Sequence, residues 1–219
     1  MEGNGYIGDK TMGVNIHSGL AVTTEGLVLS TLDQMGFNRE ERKNTTLTRE
    51  QRKNRPIEEK ESKRWLETME NAGRGIPADI QVLHICDREG DNYELFDKAI
   101  QSGRHFLIRI VHNRKTVENE QILDKIRKTP CKGRVTAHIP RDSRRNLKER
   151  EVVLQVRYAR YEIKKPQRKN KNKALLPSLP VTVMYVKEER PPRSSEGIEW
   201  FVMTNEAVER FQAACETVG

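Results

Sequence analysis

The sequence predicts an α/β fold, and three stretches carry that expectation: the apolar run at 80–86, the amphipathic segment at 90–101 and a second apolar run, HFLIRIV, at 105–111. A strand, a helix and a strand within about thirty residues make a βαβ crossover. Such crossovers are normally right-handed and set their two strands parallel.

Taken in order, residues 14–22 place apolar side chains at alternate positions (Val14, Ile16, Leu20, Val22), the period of a strand with one buried face. Thr23-Thr24-Glu25-Gly26 offers a turn, and 27–32 resumes the apolar character, so the two runs predict an antiparallel hairpin. Residues 37–56 are almost wholly polar and read as a surface loop. Across 57–72 the apolar residues Trp65, Leu66, Met69 and Ala72 keep helical spacing, with Trp65 expected in the core, and Gly73, Gly75 and Pro77 end the pattern.

The run at 80–86 is nearly continuous in apolar character, which suits a strand covered on both faces. In the following helix Tyr93, Phe96 and Ile100 share a face, and Gly103 is its stop. Beyond Asn113 the expectation is mostly β, with strands at 134–139, 151–163, 181–187 and 199–203. Basic, low-complexity links at 141–150 and 164–173 separate them, Pro177, Pro180, Pro191 and Pro192 mark turns, and 206–218 reads as a closing helix. No internal repeat is present in the sequence.

The composition narrows the partner. With 219 residues, 35% hydrophobic and only 5% aromatic, the chain can build a modest core. Its 40 Lys and Arg against 32 Asp and Glu leave a charge of +8, which makes a polyanion the leading class of partner, because neutralising phosphates releases condensed counterions. Basicity of this kind also occurs in proteins without such a partner. Cys86, Cys131 and Cys215 are odd in number and far apart, which points away from a disulfide framework or a zinc site and toward a reducing compartment. The opening MEGNGYIGDK lacks an apolar signal core, and no apolar run reaches the ~20 residues that cross a bilayer, so a cytoplasmic protein without a membrane partner is expected.

The chemistry gathers in LHICDREGDNYELF, 83–96. Asp87 falls where the strand ends and the crossover begins, and in parallel sheets function collects outside the carboxyl ends of strands. An acidic group there can hold a cation. It can equally cap the helix that follows, and the same holds for Asp91.

The stretch HICDREGDNYELFDKAIQSGRHFLIRIVHNRK resembles the DRE-containing segment of the IS4-type DNA transposases, in particular the Tn5-like branch. Three more segments match in order: GYIGDKTMGVNIHSGLAV resembles the approach to that family's "HS" strand, KESKRWLETM the helix before the DRE strand, and EWFVMTNEAVE its "WLLLTSEPVE" stretch. The resemblance implies a ribonuclease H-like core with a β-rich insertion. The implied boundaries are 1–112 for a partial catalytic core, 113–205 for the insertion and 206–219 for the start of a C-terminal helical part. It also implies DNA cleavage and joining by phosphoryl transfer, with Mg²⁺ or Mn²⁺ held by three carboxylates.

Carried over by motif, Asp87 corresponds to the second catalytic, metal-holding Asp, and Arg88, Glu89 and Asp91 complete the motif, with a structural role as an ion pair or as helix-start charges equally open to them. Gly90 stands where Ala is commoner. Arg109, His112, Arg114 and Lys115 match basic positions that grip DNA phosphates, or else form a solvated strand end. Trp200 matches a Trp that stacks on a flipped base, or else packs in the core. Asp9, Asp33, Glu206, Glu209 and Glu216 fit the family's other two carboxylates poorly. The first core strand and the last core helix are expected to be missing, and with them two of three metal ligands, so the expected activity is that of a transposase fragment, inactive alone, whose hold on Mg²⁺ is doubtful. The expected partner is DNA at transposon ends, with a homodimer on DNA in view. The alternatives are a non-catalytic DNA-binding remnant that inhibits an intact transposase and a decayed reading frame. His17, His84 and Cys86 are expected to pack locally.

Overall fold

The structure, a computed structural model, describes residues 5–7, 11–37, 48, 51, 54–77, 79–141, 143, 148–167, 175–192 and 197–209. It is mixed α/β and falls into two compact units, the first formed by residues up to Gln81 and the second by Val82–Pro166 with the residues from Leu175.

In the first unit, β1 (Gly5–Ile7) and β2 (Thr11–Gly13) form a short antiparallel pair. A hairpin of β3 (Asn15–Val22) and β4 (Val28–Phe37) follows, joined by a turn in which Gly26 adopts φ +85°, a value glycine takes without steric cost. The helix α1 (Lys63–Ala72), entered through a 3₁₀ turn at Ile57–Glu59, packs on one face of this hairpin. Asp33 of β4 accepts hydrogen bonds from Thr68 Oγ1 (2.6 Å) and Asn71 Nδ2 (3.2 Å), and the His17 ring meets Trp65 edge-on at 4.5 Å between centroids. Gly19 lets the helix come close, since a β-carbon there would sit 2.7 Å from Thr68 Cγ2.

The strand period holds, but the covered face is the opposite of the one expected. His17, Gly19 and Ala21 turn toward shelter, while Val14, Ile16, Leu20 and Val22 are half or more exposed, as are Leu27, Val28 and Leu29. A two-stranded ribbon has two faces and α1 covers one; Asp33 and His17, the hairpin's polar anchors to the helix, decide which. Trp65 is half-buried and not deep in a core, its ring shared between His17 and the Arg64 guanidinium.

The second unit is built on a six-stranded mixed sheet ordered β5 (Leu83–Cys86), β6 (His105–Arg109), β10 (Glu199–Thr204), β9 (Ser178–Glu188), β8 (Arg150–Lys164), β7 (Gly133–Ile139). β5 and β6 are parallel, as the crossover predicts, and every other pairing is antiparallel. The strands on either side of residue 112 thus share one sheet. The crossover helix α2 (Tyr93–Gln101) stacks Phe96 on Phe106 of β6, 5.1 Å between centroids, and buries Tyr93 completely. A short helix the sequence reading missed, α3 (Ile122–Lys128), lays buried Ile122, Leu123 and Ile126 beside β8 and β9. Phe106, Ile108, Ile163, Val181, Val183 and Met203 form the core under these helices. On the reverse of the sheet Leu107, Val156, Met184 and Val202 cluster, with Val135, Tyr158, Trp200 and Val208 against them.

Two further expectations are corrected. β5 is an edge strand and is not covered on both faces: β6 is its sole partner among the described strands, and Ile85 stands 71% exposed. Residues 206–209 are not helical, and the rest of the expected closing helix lies outside the described residues, as does most of the loop 37–56 and much of the two basic links. None of the described helices is long and apolar enough to cross a membrane.

Candidate nucleic-acid interface at the end of the parallel strands

The site begins with register. Cys86, the last residue of β5, pairs with Ile108 of β6, so Asp87 and Arg109 leave neighbouring strands at the same rim, where adjacent strands lie ~4.8 Å apart. Asp87 continues the extended backbone and is exposed. Its Oδ1 accepts the Glu89 N–H at 2.8 Å and caps a 3₁₀ turn, Arg88–Gly90, while Oδ2 has no hydrogen bond to any described residue. One oxygen of Asp87 thus serves the capping reading. Arg88 and Glu89 are both exposed.

The cap of α2 is Asn92, whose Oδ1 accepts the Leu95 N–H at 2.7 Å. Asp91 has a different task. Its side chain is fully buried and gathers the loop that follows β6: Oδ2 accepts the backbone N–H groups of Val111 (2.7 Å) and His112 (2.8 Å) and meets His112 Nδ1 at 2.9 Å. Oδ1 pairs with Arg114, which also donates from Nη2 to the Asp91 carbonyl at 3.0 Å. Burial alone would raise the Asp91 pKa, but the His112 hydrogen bond, the Arg114 charge and the two backbone donors outweigh it and hold the carboxyl below its ordinary value.

The basic candidates divide accordingly. Arg114 is 11% exposed in its side chain, spent on Asp91 and set 5.0 Å from the centre of the Phe96 ring. His112 is 67% exposed in its side chain, and Lys115 is exposed as well. Arg109 is exposed, with its guanidinium 5.6 Å from the centre of the Trp200 ring. Trp200 is half-buried against the cluster of Leu107, Val156, Met184 and Val202, so packing uses part of its ring and Arg109 lies over it. The structure therefore brings Asp87 and Arg109 to one rim, and joins Trp200 to Arg109 and His112 and Arg114 to Asp91.

No family model matches the chain.

Of the other carboxylates weighed from the sequence, two have structural partners among the described residues. Asp33 holds Thr68 and Asn71 within the first unit, and Glu206 pairs with His105. Glu209 is exposed, and Asp9 and Glu216 lie outside the described residues. Among the described residues no group of three or more His, Cys, Asp or Glu is arranged to hold a metal ion. Mg²⁺ takes six oxygens in near-octahedral array, through one or two carboxylates, water and substrate phosphates. At the described rim the Asp87 carboxylate has one oxygen capping a turn, so an ion held there would draw its remaining oxygens from other groups, water or phosphate.

Beneath the rim, burial followed by the charge of Asp87 pushes the Cys86 thiol up to about 12, so it is a packed thiol and no nucleophile. Burial, helped by the positive Arg104, pulls His84 down to about 4, and its buried Nε2 has no hydrogen-bond partner among the described residues. What the sequence reading missed is the role of Asp91. One signal was available, since Asn92 sits three residues before Leu95 in the N-cap position and frees Asp91 for other work.

Proposed function

We propose that the chain carries part of the catalytic core of an IS4-type DNA transposase, a ribonuclease H-like unit with a β-rich insertion. The intact enzyme cuts and joins DNA by metal-dependent phosphoryl transfer. Asp87 is one of its metal-holding carboxylates, and Arg109, His112 and Lys115 contact the DNA backbone. The observation that carries the reading is the exposed Asp87 carboxylate at the carboxyl end of a parallel strand, beside Arg109 on the next strand and ahead of a loop of basic side chains. The +8 charge supports a polyanionic partner. Arg is suited to the contact because its planar fork takes two phosphate oxygens. Trp200, with part of its ring packed and part beneath Arg109, is the surface on which a base would stack.

The described residues hold one carboxylate of the set, so by themselves they bind DNA without cutting it. That single carboxylate also favours the second reading, a DNA-binding protein that competes with an intact transposase.

Two measurements test the reading. Duplex affinity should fall steeply between 50 and 200 mM salt; a flat dependence removes DNA from the account. Mn²⁺ uptake by the protein–duplex complex should disappear in Asp87→Asn while duplex affinity stays. Uptake unchanged by that substitution would end the metal role of Asp87 and leave the second reading standing.

A further inference from the structure

Two consecutive backbone N–H groups, an imidazole and a guanidinium converge on one point, which is the composition of an anion-binding cradle. Here the anion is the protein's own: Asp91, with no exposed side-chain surface, fills it. The arrangement consumes Arg114 and spares His112, whose ring reaches outward past the carboxylate. An ionised carboxylate only accepts, so the shared hydrogen sits on His112 Nδ1 and Nε2 becomes the outward atom.

We propose that Asp91 is the positioning residue of the phosphate-contacting loop at this rim, and that it acts by fixing His112 with Nε2 toward a backbone phosphate of the bound duplex. The inference deepens the DNA-binding reading and rests on it. Asp91 does three things at once. Its bonds to the Val111 and His112 N–H groups fix the loop's backbone, its bond to Nδ1 fixes the ring, and its ion pair holds Arg114 under the loop against Phe96. The ring, held through Nδ1–H by the carboxylate, donates Nε2–H to a phosphate oxygen when it carries both hydrogens. Among the described residues, the charged group bonded to the ring is Asp91, from the start of the crossover helix, and Arg114, from the ring's own loop, pairs with the same carboxylate. Arg114 thus belongs to the support and not to the contact.

The test compares duplex binding over a salt series at about pH 6 for the wild type, His112→Ala, Asp91→Asn and the double variant. Removing one phosphate contact should make the slope of log affinity against log salt shallower by about 0.9. His112→Ala should show that change, with a loss of affinity of roughly three- to tenfold. Asp91→Asn should match it, because the amide nitrogen that replaces Oδ1 meets the Arg114 guanidinium donor against donor, and turning the amide to relieve that clash takes the acceptor away from the Val111 and His112 groups. The double variant should add nothing further, as expected for residues acting through one another.

Nitrogen-15 resonances of the wild-type imidazole at neutral pH should report hydrogen on Nδ1. This reading holds the proposal to account even where Asp91→Asn does not fold. Hydrogen on Nε2 with none on Nδ1, or a His112→Ala slope equal to that of the wild type, overturns the positioning role while the DNA-binding reading survives. Asp91→Asn that is less stable yet binds with the wild-type slope overturns it equally. A wild type whose affinity ignores salt overturns both.

Discussion

Gly90 occupies the tightest point of the rim. A β-carbon there would lie 2.7 Å from Cys86 Cβ, closer than packed carbons come, with Leu95 Cδ2 in ordinary contact at 3.7 Å. The Ala that the resembling family favours at this position does not fit this backbone, and Gly90→Ala should lower unfolding free energy by about 1–3 kcal/mol, the usual cost of overfilling a packed site. Urea unfolding checks this; an unchanged midpoint would mean that the turn after Asp87 shifts freely. His84, two residues before Cys86, makes stability depend on pH in a defined direction. Its folded pKa is below the ordinary value, so the unfolded chain takes up the proton first. The neutral ring's contribution is complete above about pH 6.5 and shrinks as pH falls toward 4, by about 2 kcal/mol at pH 5. His84→Gln should lose less stability than the wild type between pH 7 and 5, and equal losses would show that the ring is accessible to protons in the fold. At this scale the position of Asp87 was legible, because an acidic residue directly after an apolar run must emerge where the strand does. The burial of Asp91 was not. Two carboxylates four residues apart look alike in one dimension, and what separates them is a loop twenty residues further on that folds back over one of them.

At the level of elements, periodicity announced the strands but not their outer and inner sides. Val14, Ile16, Leu20 and Val22 satisfy the alternation of a half-buried strand, yet the alternation is equally complete for the residues between them, and Asp33, reaching Thr68 and Asn71, settles which set meets α1. Asp33→Ala removes both acceptors and strands two donors. It should cost the first unit about 1–3 kcal/mol, measured as a lower thermal midpoint, with the hydrogen exchange of β5 and β6 amides unaltered. A loss confined to the second unit would contradict this account. The helix α3 escaped notice because seven residues give barely two turns of pattern: Ile122, Leu123 and Ile126 are spaced correctly, but a run so short between basic segments is indistinguishable from a loop until β8 and β9 supply the surface it covers. The parallel pair was legible because a chain that must turn from one buried strand to the next through a helix has one economical way to do so.

For the molecule as a whole, the sequence conveyed the class of fold and the sign of the charge, while the order of strands had to come from three dimensions. β9 and β10 lie far along the chain from β6, and nothing local in HFLIRIV or EWFVMT states that they pair. Asn205 shows how such a join is secured. Its side chain accepts the Phe106 N–H at 2.9 Å and donates to the Arg104 carbonyl at 2.8 Å, extending the ladder one step beyond β10. The two margins of the sheet differ in kind. β7 ends it with the polar and basic side chains Arg134, Thr136 and His138 to the outside, the ordinary guard against stray pairing. β5 ends it with Leu83 and Ile85 uncovered and with its outer amides and carbonyls unpaired by any described strand. A woven cloth with one raw side frays or catches on its neighbour, and the same should hold in a concentrated solution of this protein: light scattering should climb steeply with concentration, and Ile85→Lys, a single cationic stitch on that side, should flatten the climb. Should the lysine variant scatter as much as its parent, the loose thread lies elsewhere.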